Sequence, residues 1–181
     1  MRIIAGFAGG RKLKSPDTYS IRPTPERVRE ALFSMLGDLD GAVVVDAFAG
    51  TGALGLEALS RGAERAYFFD TSKEAIETIE ENVRRVGVES QAIIKKGDFI
   101  EGLVTGISGT PDVFFFDPPY GSDRAARALE AMAGQPDKVT EGALVVWESG
   151  SDEEIPEAEG FELVEERSYG TTRLVFFRRL S

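Results

Sequence analysis

The sequence predicts an α/β fold with a doubly wound, seven-stranded and mostly parallel sheet, and three observations support this prediction. From residue 43 onward, short apolar runs alternate with segments of helical periodicity, as in a sheet built from strand, helix and strand units. A glycine-rich turn follows the first apolar run, where such a sheet passes from strand to helix. The last two β-rich runs, 161–168 and 173–178, are joined by a short turn, which predicts an antiparallel hairpin at the sheet edge.

The predicted elements follow in chain order after an irregular or hairpin segment at the start. A first helix is predicted after Pro25, because proline suits a first helical turn, and Thr24 is its expected cap. The apolar spacing of this helix predicts a buried side that leaves Arg27 and Arg29 exposed. The elements expected after it are strand 43–47, helix 53–60, strand 66–70, helix 73–86, strand 92–95, a short helix from 99, strand 113–117, helix 124–133 and strand 143–148.

The composition excludes several kinds of chemistry. The 181 residues include no cysteine and no histidine, which removes disulfides, thiolate nucleophiles, imidazole bases and the usual zinc sites. Any catalysis must therefore use carboxylates, hydroxyls, amides and a cofactor, and no metal is expected. No apolar run approaches the roughly 18 residues of a membrane span, and the first residues lack the apolar core of a signal peptide. We expect a cytoplasmic protein without membrane contact, monomeric or weakly associating.

The charge is divided unevenly along the chain. The whole chain carries −10, yet residues 1–36 carry +4 and the remaining 145 residues carry −14. We therefore expect 1–36 to form a small basic N-terminal extension and 37–181 to form an acidic domain that contains the sheet. A basic segment of this kind can bind nucleic-acid phosphates or can simply be solvated, and the acidity of the domain can reflect a demand for solubility.

Residues 46–55 have the glycine spacing of a ligand-binding turn. Gly50, Gly52 and Gly55 follow a predicted strand and open a predicted helix, an arrangement that lets the backbone approach a nucleotide-like cofactor closely. The same spacing fits dinucleotide-binding proteins, with Asp70 near the expected distance of the acid that holds the ribose hydroxyls. The glycines can also do no more than form a tight connection between strand and helix.

Acidic residues follow three successive predicted strands. Asp70 ends the second strand, Asp98 follows the third and Asp117 ends the fourth, so their side chains are expected in one crevice at the carboxyl edge of the sheet. In a site for S-adenosylmethionine, Asp70 would accept both ribose hydroxyls, Asp98 would accept the adenine amino group, and Asp117 would lie toward the methyl group. Each acid taken alone can instead be a helix cap.

Asp117 begins the most informative stretch of the chain, which continues with Pro118, Pro119 and Tyr120. The stretch directly follows the apolar run 113–116, so it places a carboxylate, a rigid turn and an aromatic ring at the carboxyl end of a buried strand. Taken alone, the stretch can also be an ordinary turn that ends a strand.

The chain resembles the RsmD family of bacterial 16S rRNA guanine-N2 methyltransferases nearly end to end. Besides the stretch that begins at Asp117, the resemblance is carried by 2–6, 10–13, 46–63 and, most specifically, Arg22-Pro23-Thr24-Pro25-Glu26-Arg27-Val28-Arg29-Glu30-Ala31-Leu32-Phe33. Asp70 stands where the family usually has glutamate. The resemblance implies a class I, Rossmann-like methyltransferase fold, S-adenosylmethionine as cofactor, and methyl transfer to a guanine amine in the 16S rRNA of the small ribosomal subunit.

The resemblance and the chemistry of an exocyclic amine assign roles to individual residues. The lone pair of the guanine amine is delocalised into the ring, so hydrogen-bond acceptors such as the Asp117 carboxylate and the Pro118 carbonyl would make the nitrogen a better nucleophile. Tyr120 would stack on the base. The residues expected to contact the cofactor are Thr24, Asp46, Phe48, Gly50, Gly52, Asp70, Thr71, Asp98, Phe99 and Asp117. Those expected to contact RNA are Arg2, Arg11, Lys12, Lys14, Arg22 and Arg29.

Three other functions fit part of the sequence. A DNA adenine-amine methyltransferase shares the stretch that begins at Asp117, but it usually needs a separate target-recognition region, for which only the N-terminal extension is available. An NAD-dependent dehydrogenase fits the glycine turn and leaves that stretch unexplained. A ribosome-assembly factor that binds the cofactor without turnover would need a damaged transfer site, and the sequence shows no such damage. The absence of cysteine excludes a pyrimidine carbon-5 methyltransferase that uses a cysteine nucleophile.

Overall fold

The structure is a computed structural model that describes residues 1–15 and 24–181. The helices are α1 (Glu26–Leu36), α2 (Ala53–Ser60), α3 (Lys73–Val86), α4 (Phe99–Thr105) and α5 (Arg124–Ala133). The strands are β1 (Val43–Asp46), β2 (Arg65–Asp70), β3 (Ala92–Lys96), β4 (Val113–Phe116), β5 (Leu144–Gly150), β6 (Phe161–Tyr169) and β7 (Thr172–Arg179). The predicted alternation of strands and helices is confirmed, and the strand boundaries lie within two residues of the predicted ones.

The strands form one sheet in the order β3-β2-β1-β4-β5-β7-β6. The pairs from β3 to β5 are parallel, whereas β7 is antiparallel to both β5 and β6. The predicted hairpin at the edge is confirmed, and the strand that runs against the others is β7, one position in from the edge. The chain leaves β1 toward one edge and returns to β4 on its other side. Open α/β sheets bind ligands at the carboxyl ends of the strands where the order reverses in this way.

The central strand β4 shows why its sequence is continuously apolar. Phe115 packs on one face of the sheet against side chains of α1, α2 and α3, whereas Phe114 and Phe116 pack on the other face against α4 and α5. Successive side chains of a strand point to opposite faces, so a strand that is covered on both faces must be apolar at every position. The two cores hold the carboxyl end of β4 in a fixed position.

The N-terminal segment shares the core of the domain. Ile3 is fully buried in the same apolar cluster as α1 and α2. The buried carboxylate of Glu57 accepts hydrogen bonds from the backbone N–H groups of Ile4 and Ala5, at 2.7 and 3.0 Å. A carboxylate without such partners would be costly to bury, so these bonds fix the segment over α2. The division of the chain at residue 36 stays a prediction.

Two predictions about α1 are wrong. The helix begins at Glu26 with Pro25 as its N-cap residue, and within the described residues no side chain caps it. The hydroxyl of Thr24 donates instead to a carboxylate on a distant strand. Arg29 is not exposed but buried, because the buried side of α1 is formed by adjacent positions one turn apart, namely Val28, Arg29, Leu32 and Phe33.

Gly55 in α2 packs directly on a buried ring, and this contact makes a testable prediction. A Cβ atom at Gly55 would lie 2.4 Å from Cε1 of Phe68, which is fully buried and cannot move aside. We expect Gly55→Ala to lower the free energy of unfolding by about 1–3 kcal/mol, because overpacking exceeds the helix propensity that alanine gains. Chemical denaturation measures this change. Gly134→Ala is the control, since its Cβ would meet its nearest atom at 3.6 Å, and an equal effect of both substitutions would contradict the account.

Candidate active site

A cavity of about 630 Å³ lies at the carboxyl ends of the central strands. The predicted acids line it together: Asp46 at the end of β1, Asp70 at the end of β2, Asp98 after β3 and Asp117 after β4. Of the other residues predicted to contact a cofactor, Thr24, Phe48, Gly50, Thr71 and Phe99 also line this cavity. The structure therefore brings the predicted crevice together at the point where the strand order reverses.

Two of the strand-end carboxylates hold the glycine turn in place. Gly50 has a φ of +56° and its N–H donates to Oδ2 of Asp70 at 2.9 Å. The N–H of Gly55 donates to Oδ2 of Asp46 at 3.0 Å. No atom lies within 4 Å of a Cβ built on Gly50, so this residue faces open space in the cavity. Gly52 does not line the cavity, and its Cβ position faces the rings and side chains of the core.

The end of the cavity at β2 and β3 offers hydrogen-bond acceptors beside an apolar wall. Asp70 also accepts from the N–H of Ser72 at 2.8 Å, and Asp98 caps α4 by accepting from the N–H of Ile100 at 2.8 Å. Both carboxylates keep further acceptor positions toward the cavity, because an ionised carboxylate can accept about four hydrogen bonds. Phe99, which is buried, supplies apolar surface between them. Such an arrangement suits a ribose and an aromatic base.

The other end of the cavity concentrates carboxyl groups that are shielded from water. Burial raises the pKa of Asp46 to about 7, with the charge of Asp70 adding to the effect and the Gly55 hydrogen bond opposing it. Burial also raises the pKa of Asp117 well above its ordinary value, as do the charges of Glu148 and Asp46. The pKa of Glu148 is likewise raised, first by burial. Carboxyls in this environment favour a bound cation or a bound proton.

A hydrogen-bond network joins these carboxyls to the stretch that begins at Asp117. The hydroxyl of Thr24 donates to Oε2 of Glu148 at 2.6 Å and lies 3.4 Å from Oδ2 of Asp117. The hydroxyl of Tyr120 lies 3.4 Å from Oε1 of Glu148 and 3.2 Å from Oγ1 of Thr172. Tyr120 is 45% exposed, so its ring is available at the mouth of the cavity. Four parts of the chain thus meet at this network: Thr24 before α1, the turn after β4, Glu148 of β5 and Thr172 of β7.

The two prolines of this stretch differ in position. Pro119 lines the cavity, whereas Pro118, which was predicted to contribute its carbonyl to catalysis, is buried and does not line it. The peptide bond that precedes each proline is trans. The role assigned to the Pro118 carbonyl stays a prediction.

Arg29 is a buried cation with unused hydrogen-bond donors. Its Nη2 donates to the carbonyl oxygen of Arg2 at 2.9 Å, but Nε and Nη1 have no acceptor in the described part of the chain. Burial lowers its pKa, and the charges of Glu57, Glu26 and Glu148 oppose that effect. Arg29 belongs to the wall of the cavity. The prediction that Arg29 is exposed is therefore wrong, because its guanidinium is buried and bonds to the N-terminal segment. Its predicted contact with RNA stays a prediction.

The other basic residues predicted to contact RNA lie on the surface or outside the described part. Arg2, Lys12 and Lys14 are exposed, and Arg2 pairs with Glu26 at 3.2 Å. Arg11 donates from Nη1 to the backbone carbonyls at the end of α3, so part of its donor capacity is used within the protein. Arg22 lies outside the described residues.

Sequence reasoning missed Glu148, which lies 4% exposed between Thr24 and Tyr120. A signal was present, because Glu148 follows an apolar run in the fifth predicted strand just as Asp117 follows one in the fourth. Thr172 carries no comparable signal. It reaches the site only because β7 is inserted beside β5, a long-range pairing that local sequence does not specify.

Residues 1–15 and 24–181 contain neither a metal-binding cluster of side chains nor a membrane-spanning helix. No group of three or more acidic, histidine or cysteine side chains in these residues has the geometry to hold a metal ion. None of the helices described for the chain has the length and apolar character that a membrane crossing requires.

Comparison with known proteins gives consistent results over the whole chain. The family model described as "Conserved hypothetical protein 95" matches residues 1–178. The chain is 33% identical to "Putative rRNA methyltransferase YlbH" of Bacillus subtilis, with 99% of each chain covered. It is 30% identical to "Ribosomal RNA small subunit methyltransferase D" of Haemophilus influenzae, with 98% of this chain and 92% of the relative covered. The solved structure "Putative methyltransferase yhhF from Escherichia coli" superposes with a TM-score of 0.87 at 29% identity, over 99% of this chain and 98% of the other.

The open space beside Gly50 makes a testable prediction about ligand binding. We expect Gly50→Val to abolish measurable binding of S-adenosylmethionine, because its side chain would enter the cavity. Gly109→Val is the matched control: Gly109 also has positive φ, +78°, and open space at its Cβ position, but it does not line the cavity. Both variants carry a similar backbone strain, but only Gly50→Val would occlude the cavity. Calorimetric titration of each variant with S-adenosylmethionine should therefore separate strain from occlusion. Equal loss of binding in the two variants would contradict a ligand at Gly50.

Proposed function

Because the chain belongs to the RsmD family of methyltransferases, we propose that it transfers a methyl group from S-adenosylmethionine to the exocyclic N2 amine of a guanine in 16S rRNA. The observation that carries the proposal is the position of Asp117 and Tyr120 at one cavity with the glycine turn. Asp117 supplies a hydrogen-bond acceptor for an amine, and Tyr120 supplies a ring on which a base can stack. The glycine turn supplies a place for the methyl donor. The relative named "Ribosomal RNA small subunit methyltransferase D" supports the choice of substrate.

The sheet order and the inserted antiparallel strand are those of the class I methyltransferase fold. S-adenosylmethionine is the cofactor, and when bound it supplies a methyl group on a positively charged sulfonium. The residues present fit it at its adenosine end. Asp70 would hold the ribose hydroxyls and Asp98 the adenine amino group, with Phe99 against the adenine ring. The side chain of Asp70, shorter than glutamate, is already oriented toward the turn by its bond from Gly50.

The unused donors of Arg29 support the fit at the methionine end of the cofactor. Among the described residues, two nitrogens of this buried guanidinium lack acceptors, which is unfavourable, and a carboxylate is the acceptor that matches the geometry of a guanidinium. The methionine part of the cofactor carries such a carboxylate. It also carries an ammonium and the sulfonium, for which Asp46, Asp117 and Glu148 provide negative charge. We therefore assign Arg29 to the cofactor rather than to RNA.

The reaction needs positioning and electrostatics more than a strong base. The Asp117 carboxylate and the Pro118 carbonyl would each accept one hydrogen of the guanine amine, which favours the pyramidal nitrogen of the transition state. Tyr120 would stack on the base after it leaves its neighbours, with a contribution of about 1–3 kcal/mol. After methyl transfer the nitrogen is positively charged and acidic, so a carboxylate can take its proton and no histidine is required.

The basic N-terminal segment is the proposed contact to RNA phosphates. Arg2, Lys12 and Lys14 are exposed on it, and Phe7 of the same segment is 62% exposed. The rest of the chain is acidic and would repel RNA, which would orient the substrate toward the segment. A substrate in the small ribosomal subunit would place the enzyme in the cytoplasm. The monomeric state stays a prediction.

The test of this function is transfer of radiolabelled methyl from S-adenosylmethionine to unmodified small ribosomal subunits, naked 16S rRNA and duplex DNA. The proposal predicts N2-methylguanosine in RNA and no label in DNA. Label on the adenine amine of DNA would favour the alternative methyltransferase, because the same acceptors fit that amine. No label on any of the three, with the cofactor bound, would favour a non-catalytic assembly factor.

Substitution of Asp117 separates transfer from cofactor binding. We expect Asp117→Ala to lower the single-turnover rate at least about 10²-fold, the usual effect of losing one transition-state hydrogen bond. Binding of S-adenosylhomocysteine should change by less than about tenfold, or 1.4 kcal/mol. Asp123→Ala is the control, since Asp123 is an exposed carboxylate beyond the same turn that makes no capping hydrogen bond. Near-normal turnover of Asp117→Ala would contradict the mechanism.

Salt dependence tests the contact to RNA. The double substitution of Lys12 and Lys14 by alanine should weaken RNA binding most at low salt, and should reduce the slope of log K against log salt by about 1 for each phosphate that the variant no longer neutralises. The control is Lys95→Ala, an exposed lysine on the edge strand β3. Equal weakening at every salt concentration would show that the two lysines do not contact phosphates.

A further inference from the structure

One hydroxyl group bridges two carboxyls at the reactive end of the cavity. Oγ1 of Thr24 lies 2.6 Å from Oε2 of Glu148 and 3.4 Å from Oδ2 of Asp117. Glu148 and Asp117 lie at the ends of neighbouring strands, and Thr24 reaches them from the segment before α1. The bridge therefore joins the residue just before the N-cap of α1 to two neighbouring strands of the sheet.

The number of hydrogens in this bridge determines its protonation. A threonine hydroxyl has one hydrogen, so Thr24 can donate to only one of the two carboxyls at a time. The other contact is favourable only if that carboxyl carries a proton and donates it to Oγ1. If both carboxyls were ionised, two acceptor oxygens would face each other in a space shielded from water. Arg29 lies in the wall of the same cavity, but its hydrogen bond goes to the carbonyl oxygen of Arg2 rather than to either carboxyl. With no cation bonded to the two carboxyls among the described residues, the pair and its hydroxyl therefore hold one proton.

The groups around the bridge favour the same state. Facing it are Asp46 from β1, Arg29 from α1, the hydroxyl of Tyr120 and the hydroxyl of Thr172 from β7. Among the described residues, Arg29 and Arg124 are the arginines of the cavity wall, and Asp46, Asp117 and Glu148 are three acids close to the bridge. Burial raises the pKa of all three carboxyls, and neighbouring acids add to this for Asp46 and Asp117, in agreement with a retained proton.

Methyl transfer from S-adenosylmethionine exchanges one positive charge for another. The sulfonium becomes a neutral thioether, and the methylated amine releases one proton. We propose that Asp117, Thr24 and Glu148 form a proton-holding unit, which loses its proton when the sulfonium binds and takes up the proton that the guanine amine releases. This inference rests on the proposed function, and it keeps the charge of the buried site constant through the reaction.

The proton transfer balances atom by atom. The N–H bond of the methylated amine breaks, its electron pair stays on nitrogen, and an O–H bond forms on Asp117. Asp117 then donates this hydrogen to Oγ1 of Thr24 as Thr24 passes its own to Oε2 of Glu148. The net result is an ionised Asp117, a neutral Glu148 and an unchanged hydroxyl. The half-exposed Tyr120, whose hydroxyl lies beside Glu148, provides the connection to solvent.

Proton release on ligand binding tests this unit without any RNA. S-adenosylmethionine and S-adenosylhomocysteine carry the same carboxylate and ammonium and differ in the sulfonium charge. Calorimetry in buffers of different ionisation enthalpy should show that the first ligand releases up to one proton more than the second near pH 7. Since a ligand that releases protons binds more tightly as pH rises, the ratio of the two affinities should favour S-adenosylmethionine increasingly from about pH 6 to pH 8.

Substitutions identify the groups that hold the proton. Glu148→Gln keeps an acceptor for Thr24 but removes a charge, so the difference in proton release between the two ligands should fall by at least half. Thr24→Val removes the bridging hydroxyl. This substitution should shift the pH at which the difference in proton release between the two ligands is largest. Glu153→Gln is the matched control: Glu153 bonds to the N–H of Gly121 near the same turn, and its substitution should leave the difference unchanged.

The outcomes separate this inference from the proposed function. Equal proton release by the two ligands in the native protein, or an unchanged difference in Glu148→Gln, would overturn the proton-holding unit even if rRNA is methylated. The expected difference together with no methylation of RNA would leave the unit in place and reject the substrate. In single-turnover assays of an active enzyme, Glu148→Gln should also move the rising limb of the pH–rate profile to lower pH. A role limited to structure would lower the rate at every pH without moving that limb.

Discussion

The burial of negative charge at the carboxyl ends of β1, β4 and β5 is the constraint on which the rest of the site depends. Asp46 ends β1, Asp117 follows β4 and Glu148 lies near the end of β5. Apolar side chains cover these strands on both faces of the sheet, so water does little to compensate the charge of the three acids. Carboxyls in such surroundings need a proton, a cation or donated hydrogen bonds. In the proposed function a cationic methyl donor meets this need, so the reaction would require neither histidine nor cysteine.

The N-terminal part of the chain forms part of the cavity wall. It supplies Thr24 to the acidic end and is fixed on α2 by the buried carboxylate of Glu57. The helix that follows supplies Arg29, a buried cation beside the three acids. The same segment carries exposed lysines on its outer side. In the proposed function, the N-terminal part of the chain therefore contacts the cofactor through residues that line the cavity and RNA through residues on the surface.

The fold and most of the cavity could be predicted from sequence, because local patterns determine them. The apolar run of β4 indicates a strand buried on both faces, and an acid directly after such a run indicates the ligand edge of the sheet. Arg29 was misplaced because helical spacing shows which side of α1 is apolar but not how far that buried side extends. Thr24 was misassigned because a local capping pattern cannot reveal a carboxylate on β5. These two residues depend on long-range packing, which no local pattern contains.

The measurement that tests the central claim most directly is a crystal structure of the protein with S-adenosylhomocysteine. The account predicts the ribose hydroxyls on Asp70, the adenine beside Asp98, the methionine carboxylate on Arg29 and the sulfur facing Asp117. The same cavity would then hold the cofactor with its reactive atom at the buried carboxyls. A ligand in the reverse orientation, or one bound outside this cavity with Arg29 still lacking an acceptor, would contradict the account.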